Sequence, residues 1–269
     1  MAHRYVRVQT IHGHIHYGIL NPNQSVQVID APPWLEGQLT DQVLTPEDFT
    51  LLPPCSPSKI IAVGKNYGAH AAEMGTLVPE VPLLFLKPPT ALLAPGGAIL
   101  YPAQSQQVDY EGELALIIGE LCTNCSLETA QGKIWGYTIA NDVTARDLQR
   151  RDGQWTRAKS FDTFCPLGPW IVREINPSAR IQTFLNEDRI PVQSDTIDQM
   201  VFSPEVLVSF ISQVMTLKPG DVILTGTPEG VGSLQIGDRV QVEIEGIGRL
   251  ENTIRGSLPV PKWSGTTKL

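Results

Sequence analysis

The chain has 269 residues, 42% hydrophobic and 18% charged, and a net charge of −8 with no basic tract. That balance argues against nucleic acid and anionic membrane surfaces as partners. Gly 23 and Pro 22 together make about one residue in six, without period and between apolar runs, which excludes collagen and disorder. Such turn-dense chains are built from short strands.

The N-terminus, MAHRYVRVQT, has no apolar secretory core, and no apolar run approaches membrane-spanning length, so the chain reads as cytoplasmic. Residues 1–52 form a small β-rich region with strand-like runs at Tyr5–Gln9, His14–Ile19 and Ser25–Ile29. Three prolines within Leu52–Ser58 mark 53–58 as a linker. The main domain spans 59–256, and 257–269 form a C-terminal tail. Its strands are expected at Lys59–Val63, Leu83–Leu86, Glu111–Ile118, Ile134–Ala140 and Pro169–Val172. Further strands follow at Arg180–Leu185, Val222–Thr225, Arg239–Ile244 and Gly248–Ile254, with turns at Asn186–Arg189 and Glu245–Gly248. Three helices are expected. One runs from Tyr67 to Met74 and stops at Gly75, and a second from Thr144 to Arg151. The third opens at Ser203-Pro-Glu and carries Leu207, Phe210, Ile211 and Val214 on one face. Strands outnumber helices without alternating with them, so the class is α+β and β-dominated. Cys122-Thr-Asn-Cys125 has no second pair to complete a zinc site and reads as a surface turn between a strand and a helix.

Chemistry concentrates in a few segments. At period two, Glu111 and Glu113 share one strand face while Leu114, Leu116 and Ile118 share the other. Ala115 and Ile117 continue the acidic face into the interior, where paired carboxylates require a compensating charge, such as a hard divalent cation. Asp142, at a strand end, offers a third oxygen ligand. Three monodentate carboxylates leave open positions on Mg²⁺ or Mn²⁺ for water or a chelating 2-oxo acid. Arg146 and Gln149 follow on one helical face; Arg146 could hold a substrate oxygen or pair with Asp147. Lys159, a lone cation among apolar residues, is either a snorkelling surface residue or a stabiliser of a developing enolate. His70 and Glu73, at i and i+3, can pair as a general-base dyad or as an ordinary surface pair. Thr227, in the glycine-rich turn after Leu224, offers a hydroxyl and an N–H to an anion; the spacing excludes a Walker loop.

In order along the chain, Gly64-Lys-Asn-Tyr-Gly-Ala-His70, Leu84-Phe-Leu-Lys-Pro88, Asp109-Tyr-Glu-Gly-Glu113, Asn141–Gln149, Ala158-Lys-Ser-Phe-Asp162 and Leu224–Gly232 resemble the motifs of the fumarylacetoacetate hydrolase superfamily. The run Lys159–Gly168 is similar to the small members of that superfamily. The resemblance implies a mixed β-sheet roll with a few short helices, assembled as a homodimer, with Mg²⁺ or Mn²⁺ at Glu111, Glu113 and Asp142. It further implies that His70 and Glu73 on a lid helix activate water, that Gln149 and Lys159 orient it and stabilise an enolate, and that Arg146, Tyr67 and Thr227 contact the substrate. The implied reaction is hydrolysis of a C–C bond in an acylpyruvate-type 2-oxo acid through a metal-bound enolate. The same residues support oxaloacetate decarboxylation or keto–enol tautomerisation. A metal-stabilised binding protein without turnover would show a degenerate catalytic position, and every position is filled.

Overall fold

Strands dominate the computed structural model, which describes residues 3–257. Apart from Ser257, the C-terminal tail expected at 257–269 lies outside the described residues. The chain begins with β1 (Tyr5–Thr10), β2 (Ile15–Leu20), β3 (Val26–Ile29), β4 (Leu39–Leu44) and β5 (Phe49–Leu52). There follow β6 (Ile60–Gly64), α1 (Gly68–Glu73), β7 (Leu83–Lys87), β8 (Leu92–Leu93), β9 (Ala98–Tyr101), β10 (Val108–Tyr110) and β11 (Gly112–Ile118). The middle holds α2 (Leu127–Ala130), β12 (Ile134–Asn141), β13 (Thr144–Ala145), α3 (Arg146–Asp152), α4 (Thr156–Lys159) and β14 (Cys165–Val172). The last third holds β15 (Arg180–Leu185), β16 (Gln193–Thr196), α5 (Pro204–Val214), β17 (Val222–Leu224), β18 (Gly232–Ser233), β19 (Arg239–Ile244) and β20 (Gly248–Gly256). No helix among the described residues is long and apolar enough to cross a membrane.

The largest sheet runs β4-β3-β2-β1-β14-β12-β11-β17-β6-β7, with β5 on β1 and β8 on β14. Most neighbours are antiparallel, but β17 pairs parallel with β6 (Val222 opposite Ile60), so the sheet is mixed. A second sheet runs β16-β15-β19-β20-β9, and a small third sheet runs β13-β10-β18. The N-terminal strands continue the main sheet through β1 and β14, with Tyr5 opposite Ile171. Edge-on aromatic contacts seal this junction: Tyr5 on Trp135 at 4.8 Å, Trp135 on Trp34 at 5.7 Å and Trp34 on Tyr17 at 5.4 Å.

β11 is buried on both faces, as its apolar run predicts. Leu114, Leu116 and Ile118 pack with Leu207 and Ile211 of α5, whereas Ala115 and Ile117 pack with Cys55, Leu167 and Leu224. The Pro-rich segment 53–58 joins this second core, with Pro54, Cys55 and Pro57 buried. Buried Asp221 pins its end, accepting the Ser58 N–H (3.0 Å), the Ser58 hydroxyl (2.6 Å), the Lys218 N–H (2.8 Å) and the Lys59 ammonium.

Three local expectations are corrected. Thr144 and Ala145 do not open the second helix: they pair with Asp109 and Val108 of β10, and α3 starts at Arg146. On α5, Val208 rather than Val214 joins Leu207 and Ile211 inside; Val214 ends the helix 60% exposed. Cys122 and Cys125 do occupy a turn between β11 and α2, but the thiols point inward. The Cys122 backbone exchanges two bonds with Leu217 (3.0 and 2.9 Å), and burial pushes its thiol up to about 11.

Candidate active site

Glu111 and Glu113 flank Gly112 where β11 begins, and Asp142 follows the last residue of β12. Antiparallel pairing of these strands, Gly112 opposite Asn141, brings the three acids together. Their nearest oxygens lie within 4.8 Å of one another and all three side chains are buried, the one such grouping of potential metal ligands among the described residues. Asn141 supports the arrangement by accepting the Glu111 N–H on Oδ1 (2.9 Å).

Cations surround two of the acids. Lys159 Nζ bridges Glu111 Oε2 (2.9 Å) and Asp142 Oδ2 (2.6 Å). Lys87 Nζ meets Asp142 Oδ1 (2.5 Å) and the Val143 carbonyl (3.2 Å). Arg146 donates to Asp109 (2.9 Å), to the other oxygen of Glu111, and to Gln149 Oε1 (2.7 Å). Burial alone would raise the Glu111 carboxyl, but Lys159 and Arg146 outweigh it and hold the group well below the usual carboxylate range. Burial would also discharge Lys159, yet Asp142 and Glu111 keep its ammonium above the usual lysine range.

Glu113 is different. Its hydrogen-bond donor is the Gly226 N–H (2.7 Å), with no cation in contact among the described residues. Burial first, and then Asp142 and Glu111, push this carboxyl well above the usual range. With every group ionised, Asp109, Glu111, Glu113 and Asp142 face Lys87, Arg146 and Lys159 with one negative charge in excess, which together with burial penalises the ionised form of Glu113. A divalent cation at the three acids would pair with Glu113 and turn that excess into a positive one, suited to an anionic ligand. The donor set fits: three hard oxygens suit Mg²⁺ or Mn²⁺.

A second wall of the site comes from α1 and the loop after β17. His70 Nδ1 lies 3.1 Å from Glu73 Oε2, and the Glu73 carboxylate also accepts the Gly230 N–H at 3.1–3.2 Å. The loop is close-packed. Gly226 (φ +98°) leaves no room for a Cβ, which would lie 2.7 Å from the Asn66 Cβ, and at Gly230 (φ +90°) a Cβ would lie 2.1 Å from the Val192 carbonyl oxygen. Asn66 ties the start of α1 to this loop by donating to the Thr225 carbonyl (2.7 Å).

These walls enclose a cavity of about 50 Å³. His70, Glu111, Glu113, Asp142, Lys159 and Thr227 line it, together with Arg146 and Gln149. Met74, Phe85 and Trp155 form an apolar side, Phe85 edge-on to Trp155 at 5.2 Å. Glu73 stands behind His70. Tyr67 is not brought to the cavity: it is buried in the apolar core and its hydroxyl has no partner among the described residues. Arg146 is not paired with Asp147, which instead accepts from Ser105 (2.6 Å) and the Gln106 N–H (3.1 Å). Lys159 is buried, not snorkelling. Sequence reasoning gave no role to Lys87, Asp109, Asn141 or Gln193. Lys87, Asp109 and Asn141 did lie within the superfamily-like motifs, and Lys87 was also a lone cation in an apolar strand; Gln193 gave no signal.

The family profile for the fumarylacetoacetate (FAA) hydrolase C-terminal domain matches residues 59–255, and an Rv2993c-like N-terminal profile matches 3–54. Oxaloacetate tautomerase FAHD2A of Homo sapiens, a mitochondrial protein, is 41% identical over 224 residues, covering 79% of this chain and 71% of the human protein. The structure of 5-carboxymethyl-2-hydroxymuconate delta-isomerase from Mycobacterium smegmatis is 43% identical, with a TM-score of 0.87 over 94% of this chain and 100% of that one. Fumarylpyruvate hydrolase from Pseudomonas aeruginosa, solved with Mn²⁺ and pyruvate, is 34% identical, with a TM-score of 0.70 over 81% of this chain and 93% of that one. The mixed sheets, the motifs and these matches agree: the chain is an enzyme of the fumarylacetoacetate hydrolase family.

Proposed function

We propose that the protein is a divalent-metal-dependent enzyme that moves a proton on a compact 2-oxo acid, interconverting the enol and keto forms of an oxaloacetate-type diacid. The observation that carries this reading is one small cavity facing both a buried carboxylate triad and an imidazole backed by a carboxylate. The relatedness to the human tautomerase supports the same chemistry.

Mg²⁺ or Mn²⁺ held by Glu111, Glu113 and Asp142 would supply Lewis-acid polarisation of a chelated keto oxygen. The chain's own residues carry the rest. Glu73, anchored by the Gly230 N–H, holds His70 through Nδ1, which leaves Nε2 to take or return the substrate proton. Lys159 offers fixed positive charge to the oxygen that becomes negative as the proton leaves. Arg146 occupies the Gln149 carbonyl, so the Gln149 amide nitrogen is the end available to substrate. Thr227 meets the substrate carboxylate.

Enol-to-keto conversion of oxaloacetate, followed by ultraviolet absorbance with Mg²⁺ or Mn²⁺, tests this. The expected result is metal-dependent acceleration that His70→Ala reduces by about 100-fold or more. A rate equal to that of buffer and metal alone would overturn it. A second reading, C–C hydrolysis of an acylpyruvate, is favoured by the exposure of the Glu73 side chain (33%), which leaves water a route to the dyad. Pyruvate release from acetylpyruvate, measured in parallel, separates it; pyruvate release from oxaloacetate would mark decarboxylation.

A further inference from the structure

Gln193 opens β16, and its buried side chain makes four hydrogen bonds without lining the cavity. Nε2 donates to Thr227 Oγ1 (2.8 Å) and the Pro228 carbonyl (2.9 Å). Oε1 accepts the Gly112 N–H (3.0 Å) and the Thr183 hydroxyl (2.8 Å). The amide has one possible orientation, because the Gly112 N–H can only donate and the Pro228 carbonyl can only accept.

The Thr227 hydroxyl is thereby fixed as well. It accepts from Gln193 and spends its single hydrogen on the Gly112 carbonyl (2.9 Å). Gly112, Gln193 and Thr227 close a ring, and Gly112 is the residue between Glu111 and Glu113. With the hydroxyl hydrogen committed, the donor that Thr227 retains for an anion is its backbone N–H, which has no acceptor among the described residues. The loop leans on the same strand, since Gly230 passes against Val192 and Gln193.

Resting on the proposed 2-oxo acid chemistry, we propose that Gln193 is a positioning residue for substrate binding. It locks the Thr227 rotor and holds the anion-facing loop in register with the peptide that carries both glutamates, so that the Thr227 N–H receives the substrate carboxylate.

The test is calorimetric binding of pyruvate in the presence of Mg²⁺, together with KM and kcat for oxaloacetate. Gln193→Glu keeps the shape but replaces the two donated hydrogens with an acceptor. It is expected to weaken pyruvate about tenfold and raise KM by the same factor, with kcat within about threefold. Thr227→Val should weaken pyruvate to a similar degree, Thr227→Ser should bind it within about twofold of the parent, and the double variant should be no weaker than the worse single one. Wild-type pyruvate binding that Gln193→Glu leaves unchanged overturns this proposal alone. So do additive losses, which would make the hydroxyl a direct contact. If Gln193→Glu does not fold, the uncharged Gln193→Met decides: pyruvate binding as in the wild type overturns the proposal, and a loss of about tenfold with kcat within about threefold upholds it. Failure of the wild type itself to bind pyruvate overturns the functional reading and this inference together.

Discussion

Among the described residues Glu113 has no ammonium or guanidinium against it, whereas Glu111 and Asp142 have two cationic partners each. Without metal, burial and two acidic neighbours penalise its charged form, so replacing it with a permanently neutral group should stabilise the metal-free protein. Glu113→Gln is expected to raise the melting temperature in EDTA by roughly 2–4 °C, equivalent to about 1 kcal/mol, and to abolish the further rise on adding Mn²⁺. Thermal melts with and without metal check both halves. Lys87 behaves in the opposite sense. Removing its ammonium in Lys87→Met leaves Asp142 with one cation in a dry site, which should cost about 3 kcal/mol or more in urea unfolding. The alternation of Glu111 and Glu113 and the strand-end position of Asp142 were legible because period-two geometry is local. The partners of Lys87 and Gln193 were not, since Lys87 reaches its acid across 55 residues and Gln193 meets Gly112 across 81. Those distances are bridged only by sheet order, which no local pattern encodes.

At the scale of elements, long apolar runs such as β11 and β12 were readable, and short polar ones were not. β4, β9, β10 and β16 escape because they are short or carry Gln, Asp and Thr, and they become strands only when a neighbour supplies the ladder. Thr144 and Ala145 show the same competition, with pairing to β10 winning over helix continuation. Asp221 is the clearest element-scale joint, fastening 53–58 to the turn before β17. In Asp221→Asn an amide hydrogen-bond donor would face the Lys59 ammonium or the Lys218 N–H. The expected loss is about 2–4 kcal/mol, with new proteolytic cleavage near residues 53–58, measured by urea unfolding and limited proteolysis.

For the whole molecule, a metal at the acidic triad would couple ligand binding to stability. A cation that binds the folded triad and not the open chain adds RT ln(1 + [L]/Kd), about 2.7 kcal/mol at a hundredfold excess over Kd. For a chain of this size that corresponds to a melting-temperature rise of roughly 5–10 °C with Mn²⁺, reversed by EDTA. An unchanged melting temperature would count against a metal at these residues. The bond from the Gly226 N–H to Glu113 gives this coupling an order in time. The carboxylate is synthesised 113 residues before its donor, and β11 acquires β17 as a neighbour only once Val222–Leu224 has been made. A chain emerging from the ribosome therefore carries its three acids well before the loop that completes their surroundings exists. Synthesis of Val222–Gly230 closes the site, and a chain stopped short of Gly226 would have the charges of the acidic triad without the donor that holds Glu113.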